Sequence, residues 1–200
     1  MIKFVKEGLA GHDPNIEVWD SPTIRYFNGK KIEGRPTKGY GSAPFEYAGK
    51  RYEPTPWTNA MSVIKTATEL LIYKQLNRAV RFNFCLCGLY KHGKISIPHH
   101  SDTVPTIEDL VVSISFGAPR IFQWHEYPWP IKKETNTSEL NISIENDIPY
   151  DPQIPVVKNY IMEKGDVFIF DGQSQMNSTH SVPSVENKAE RINLTFRTGI

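Results

Sequence analysis

The stretch "RINLTFR", residues 191–197, alternates strictly between polar and apolar side chains. Successive side chains of a strand point to opposite faces. Ile192, Leu194 and Phe196 therefore share one face, and Arg191, Asn193, Thr195 and Arg197 share the other. An edge strand with a solvated polar face would use such a pattern. So would a binding strand, because two guanidiniums, an amide and a hydroxyl in line can cradle a small dicarboxylate. A guanidinium takes a carboxylate through two parallel charge-assisted hydrogen bonds, which the point charge of lysine cannot do.

Eleven residues upstream of Arg191 stands His180, in "NSTHSVP", just after the strand-like run "GDVFIFDG". Farther upstream, "SIPHHSDTV", residues 96–104, places His100 and Asp102 two residues apart. In extended chain these two face the same side and can grip one ion together. A distal histidine then completes two imidazoles and one carboxylate, a set that leaves positions open on a non-haem Fe(II). His-x-Asp alone is a weak signal. Its weight comes from the order: His-x-Asp, a distal His, then an arginine-bearing strand. His99 is the rival ligand, but Ser101 rather than a carboxylate stands two residues beyond it, and it would face away from His100. It is expected beside the site or on the surface.

The composition suits such a site. The chain has 200 residues, 39% of them apolar, with a net charge of +1. That is enough for one compact domain with a real core, and it excludes a disordered chain. The N-terminal "MIKFVKEGLAGHD" lacks the apolar core of a signal peptide, and no apolar run approaches a membrane span. Four Asn-x-Ser/Thr sequons are present, but nothing else points to secretion. The expectation is a soluble intracellular protein, cytoplasmic or nuclear, monomeric and without a membrane partner. Cys85 and Cys87, at i and i+2 of a strand-like run, are expected to face opposite sides and so to be poorly placed to pair. Net charge argues neither for nor against a nucleic-acid partner. From Asn28 to Lys38, however, Lys30, Lys31, Arg35 and Lys38 stand against Glu33. That local excess favours a phosphate-bearing partner, although basic stretches are also commonly solvated faces.

Along the chain, residues up to about 55 are rich in Gly, Pro, aromatic and basic residues, which predicts short strands and loops. "WTNAMSVIKTATELLIYKQLN" predicts the one good helix, capped by Thr58 or Asn59, with Met61, Ile64 and Leu71 on its apolar stripe. "RFNFCLCGLY", "DLVVSISFG", "RIFQWHEY", "DVFIFDG" and "RINLTFRTG" predict strands. The polar, Pro- and Asn-rich stretch at about 125–155 predicts a surface insertion, with room for a short strand of its own. One helix followed by many short strands predicts a mainly β barrel or jelly roll, buttressed by one or two helices, in a single domain.

"RINLTFR" resembles the Arg-x-Asn-x-Thr-Phe-Arg signature of the AlkB family of nucleic-acid dealkylases. Other pieces follow in family order. "FNFCLCGLYKHGK" resembles the strand before the metal loop, and "VSISFGAPRIFQW" resembles a Ser-Phe-Gly-x-x-Arg-x-Phe strand. "GDVFIF" precedes the distal His, and "YGSAPFEYAGKRYEPTPW" is similar to the substrate lid of the eukaryotic-type members. The resemblance covers roughly residues 24–200. It implies a double-stranded β-helix with an N-terminal lid at about 20–55. It also implies an Fe(II)- and 2-oxoglutarate-dependent dioxygenase that consumes O2 and removes methyl groups from bases such as 1-methyladenine and 3-methylcytosine in DNA or RNA.

By position, the resemblance implies that His100, Asp102 and His180 hold iron and that Arg191 takes the distal carboxylate of 2-oxoglutarate. Tyr90 donates its hydroxyl to the same cosubstrate, and Asn193, Thr195 and Arg197 line or brace that pocket. It implies a flipped-out base between a lid aromatic and His100. Tyr47 is the lid candidate, with Tyr40 and Phe45 behind it, and Phe27 falls near the finger that some members push into a duplex.

Two departures stand out. The family carries Asn two residues before the tyrosine, where this chain has Gly88, so one hydrogen bond to the cosubstrate or metal shell is expected to be missing. Thr103 and Val104 replace the acidic residues that read a base amino group, with Glu108 and Asp109 only later. Two other functions fit parts of the pattern. One is a 2-oxoglutarate-dependent hydroxylase of a protein or small molecule. The other is a metal-binding jelly roll without turnover, against which the paired arginines of 191–197 argue.

Overall fold

The computed structural model describes residues 1–22, 24–27, 30–42, 44–47, 50–102, 110–128, 155–186 and 189–199. In chain order the elements are β1 (Ile2–Val5), β2 (Ile24–Phe27), β3 (Lys30–Glu33), β4 (Thr37–Gly41), β5 (Phe45–Tyr47) and β6 (Lys50–Tyr52). Then come α1 (Asn59–Leu76), β7 (Phe84–Tyr90), β8 (Ile97–His100), β9 (Leu110–Gly117), β10 (Arg120–Glu126) and β11 (Val156–Met162). The chain finishes with β12 (Val167–Asp171), α2 (Gly172–Gln175), β13 (Ser178–Val182) and β14 (Arg191–Arg197).

Two antiparallel sheets form the body. The larger has the order β1-β12-β9-β14-β7-β4, and the smaller β11-β10-β13-β8. β14 lies inside the large sheet, paired with β7 on one side and β9 on the other. Its alternation therefore separates two buried faces rather than a core face and a solvated one. Leu194 and Phe196, on one face, are fully buried with Val112, Ile114, Ile169, Met61, Ile64 and Ile72, the last three contributed by α1. Burying each such side chain contributes roughly 1.5–3 kcal/mol. On the other face the large sheet meets the small one through Tyr90, Val111, Phe168 and Phe170 against Phe122, Trp124, Met162 and Val182. Phe122 and Phe168 touch across that layer with ring centroids 4.7 Å apart. The polar residues of β14 lie on this inner face, between the sheets. The jelly-roll expectation is met, with α1 as the main buttress.

The cap of α1 is Thr58, whose side chain accepts from the Met61 amide at 3.2 Å. That leaves one fewer unsatisfied donor in the first turn. At the other end of β9, Gly117 turns the chain into β10 with φ +83°, a conformation that costs a residue with Cβ strain.

Several expectations are corrected. Cys85 and Cys87 face the same side of β7, as strand period two requires, and their sulfurs are 3.9 Å apart, both free. Tyr40 is 5% exposed, pairs across from Cys85 and belongs to the core beneath α1, so it is not available to a base. His180 follows β12, as expected, but lies within a further strand that was not anticipated, β13. β1, one of the short strands expected before residue 55, closes one edge of the large sheet, whereas β11 was not anticipated and pairs with all seven residues of β10. The insertion predicted at about 125–155 joins that pair, and its residues 129–154 lie outside the described part. In the N-terminal region β2–β3 and β5–β6 form two small hairpins. Phe27 and Tyr47 end β2 and β5, and their side chains lie outside the description, as do Thr103, Val104, Glu108 and Asp109. Among the described residues no helix is long and apolar enough to cross a membrane.

Candidate active site

β8 and β13 are neighbours with His100 opposite His180, so one cross-strand pair supplies two imidazoles to the same spot. Their ring centroids are 4.3 Å apart. Asp102, just past the end of β8, places Oδ1 3.6 Å from His100 Nε2 and Oδ2 3.6 Å from His180 Nε2. The three donor atoms lie within 4.8 Å of one another, the one such cluster of three among the described residues.

The surroundings fix each donor. His100 Nδ1 donates to the Pro98 carbonyl at 2.9 Å, which leaves Nε2 with its lone pair toward Asp102. His180 is 5% exposed, stacked on Phe122 and parallel to Trp124 at 6.0 Å. Burial pushes its pKa down to about 3, with the neighbouring His100 acting in the same direction. Burial also lowers His100, against the opposing pull of Asp102. Both rings are thus held neutral, the form that ligates a metal. Asp102 is held from two sides. Arg197 Nη2 donates to its Oδ2 at 2.8 Å, and its own amide donates to Gln175 Oε1 at 2.6 Å. Gln175 comes from the short helix α2, and sequence reasoning did not find it.

His99 faces away from the cluster, as expected. Its ring packs on His125 at 3.9 Å, and burial lowers its pKa to about 4.

Farther along β14 the polar side chains form a hydrogen-bonded line. Arg191 Nε donates to Ser115 Oγ at 2.7 Å and Nη2 to Asn193 Oδ1 at 2.7 Å, while Asn193 Nδ2 donates to Thr195 Oγ1 at 3.0 Å. Arg191 is 1% exposed, yet its Nη1 has no hydrogen-bond partner. A buried, orphaned guanidinium donor beside a pocket is a site for an anion. The Tyr90 ring lies 4.8 Å from this guanidinium. Arg120 supports the same ring from another direction at 5.4 Å and ties the loops together through the carbonyls of Ile95 and Pro183 at 2.9 and 2.8 Å. One pocket of about 460 Å³, including its open mouth, is lined by His100, Asp102, His180, Tyr90, Asn193 and Arg197.

A model of the 2OG-Fe(II) oxygenase superfamily matches residues 25–197. The chain belongs to this superfamily. Within it, the relatives are of AlkB type. The protein named alpha-ketoglutarate-dependent dioxygenase alkB homolog 3 is 32% identical over 168 residues in both Bos taurus and Homo sapiens, covering 82% of this chain. The chain spans about half the length of these relatives, 51% of each. An uncharacterized protein, R406, of Acanthamoeba polyphaga mimivirus is 25% identical over 180 residues, covering 88% of this chain and 78% of its own length. The solved structure of OsALKBH1 superposes with a TM-score of 0.56 at 17% identity, covering 98% of this chain and 96% of that one, a likeness of fold.

The oxygenases of this superfamily use Fe(II), 2-oxoglutarate and O2, and the residues present suit that set. Two neutral imidazoles and a buried carboxylate can hold one Fe(II). Arg191, with its Nη1 unpartnered, stands behind Asn193 of the pocket wall and can take a carboxylate there.

Proposed function

We propose that the protein is an oxidative demethylase of N-alkylated bases of the 1-methyladenine and 3-methylcytosine type in DNA or RNA, acting most readily on single strands. The observation that carries this is the joining, in one pocket, of the His100–Asp102–His180 cluster with the arginine-bearing face of β14 in an AlkB-type chain.

In this proposal His100, Asp102 and His180 hold the iron, and Arg197 keeps the Asp102 carboxylate turned toward it. Arg191 and Tyr90 hold the distal carboxylate of 2-oxoglutarate, with Asn193 and Thr195 completing the wall. Bound Fe(II), with 2-oxoglutarate and O2, supplies the oxidation that hydroxylates the N-methyl group, which then leaves as formaldehyde. The aromatic layer of Phe122, Trp124 and Phe170 around His180 keeps water from that side of the site. The N-terminal hairpins carry Tyr47, proposed as the ring that stacks on the flipped-out base, and Phe27, proposed as the finger into a duplex.

The test is mass spectrometry of methylated DNA and RNA oligonucleotides after incubation with Fe(II), ascorbate and 2-oxoglutarate. Loss of 14 mass units per methyl group (roughly one CH2) with succinate release is the expected result. Succinate release with every oligonucleotide unaltered would retain the oxygenase and hand the substrate to a protein or small molecule.

A further inference from the structure

Gly88 lies on the inner face of β7, opposite Asn193 of β14. The space a side chain would occupy there is filled by Arg35. A Cβ built on Gly88 would run into Arg35 Nε and lie 2.6 Å from its Cδ. Arg35 comes from the segment just before β4. Pro36 follows it, favouring an extended backbone at 35, and the Pro36 carbonyl accepts from the Leu89 amide at 2.9 Å. The side chain thus starts beside β7 and folds over Gly88 into the pocket, where it is among the lining residues. Its guanidinium carbon is 5.8 Å from the Tyr90 ring centroid, and its Nε is buried without a hydrogen-bond partner. The basic stretch that includes Arg35 was expected to face a phosphate-bearing partner. This member of it faces the pocket instead.

The position dictates what Arg35 can meet. Opposite Asn193, it sits midway along the line that runs from Arg191 to Arg197. Arg191 already commands the far end, and Arg197 Nη2 is engaged by Asp102. Pocket and line together hold three guanidiniums, Arg35, Arg191 and Arg197, against the one carboxylate of Asp102, an excess that a dicarboxylate neutralises. We propose that Arg35 is a cosubstrate-binding residue, pairing with the 2-oxoglutarate carboxylate nearer the metal, and that Gly88 is the position that admits it. The hydrogen bond expected to be lost with the family's Asn at 88 is thereby replaced by a charge-assisted one from another segment. The proposal rests on the superfamily's cosubstrate and is independent of the nucleic-acid assignment.

The test is isothermal titration of 2-oxoglutarate into the Mn(II)-loaded full chain, which binds without turnover, with circular dichroism as a check on folding. Arg35→Ala should weaken 2-oxoglutarate binding at least tenfold, and Arg35→Lys, which keeps the charge and loses the fork, should fall between. Gly88→Asn should weaken binding by displacing Arg35. The double variant should bind no more weakly than Arg35→Ala alone, because the two positions compete for one space. An unchanged Kd in Arg35→Ala overturns the proposal whether or not Gly88→Asn folds. Unchanged 2-oxoglutarate binding with weakened capture of a single-stranded oligonucleotide overturns it in favour of a substrate-phosphate contact. Absence of binding by the wild type removes the cosubstrate itself.

Discussion

Arg197, the last residue of β14, donates to the Asp102 carboxylate across 2.8 Å, and both side chains are 3% exposed. One end of the strand that carries the Arg191 cradle therefore holds a proposed metal ligand from behind. Removing one partner of a buried ion pair costs about 3–5 kcal/mol, because the other charge stays buried. Arg197→Ala should lower the melting temperature of the metal-free protein and weaken Co(II) binding at least tenfold. Saturating Co(II) should recover part of the stability, since the metal takes over the carboxylate's charge. Equal melting temperatures for wild type and variant would show that the pair contributes nothing.

The adjacent histidines separate cleanly. His100 turns its Nε2 toward Asp102, whereas His99 packs on His125 outside the cluster. His100→Ala should lose the visible absorption of the Co(II)-substituted protein, and His99→Ala should keep it. The reverse outcome would exchange their roles.

What the sequence made legible follows from geometry. The alternation at 191–197 reports faces directly, because a strand has period two whatever surrounds it. The same rule brought His100 and Asp102 together. It was misapplied at Cys85 and Cys87, which share a face for the same reason. Residues that reach the site across the chain carry no such signal. Gln175 arrives from a helix of four residues, and Arg35 arrives from before β4 through room left by a glycine. Tyr40 had the composition of a lid residue, but pairing of β4 with β7 put it under α1. Where alternating polar residues meet a second sheet, a solvated face and a buried cradle look identical until the sheet order is known.

Arg191 should discriminate charge from shape. Its guanidinium is fixed by two bonds, Nε on Ser115 and Nη2 on Asn193, and its Nη1 is left without a protein partner. A lysine would keep the charge and lose the planar geometry that presents two donors at once. Arg191→Lys in the Mn(II)-loaded protein should raise the Kd for 2-oxoglutarate at least tenfold, about 1.4 kcal/mol or more. A Kd matching wild type would mean that the distal carboxylate binds elsewhere.

The cysteine pair gives a prediction about stability against pH. Cys85 and Cys87 are fully buried beneath α1, with sulfurs 3.9 Å apart. Burial pushes the Cys87 thiol well above its ordinary value of 9.0, reinforced by its hydrogen bond with Cys85. The native state therefore holds a proton that the unfolded chain releases above pH 9. A group whose folded pKa is raised contributes its full stability below the unfolded pKa, and that contribution is lost as pH rises. The urea midpoint should accordingly fall between pH 9 and higher pH, and Cys87→Ala should flatten that fall after its constant packing cost is subtracted. The same burial keeps the Cys87 thiolate fraction negligible at neutral pH and shields both sulfurs from reagent. Maleimide should then label neither cysteine in the native protein, and both should label at the rate of unfolding when urea is added. Rapid labelling of the folded protein would show that the strand beneath α1 opens locally. A pH dependence unchanged by Cys87→Ala would move the alkaline sensitivity to another group.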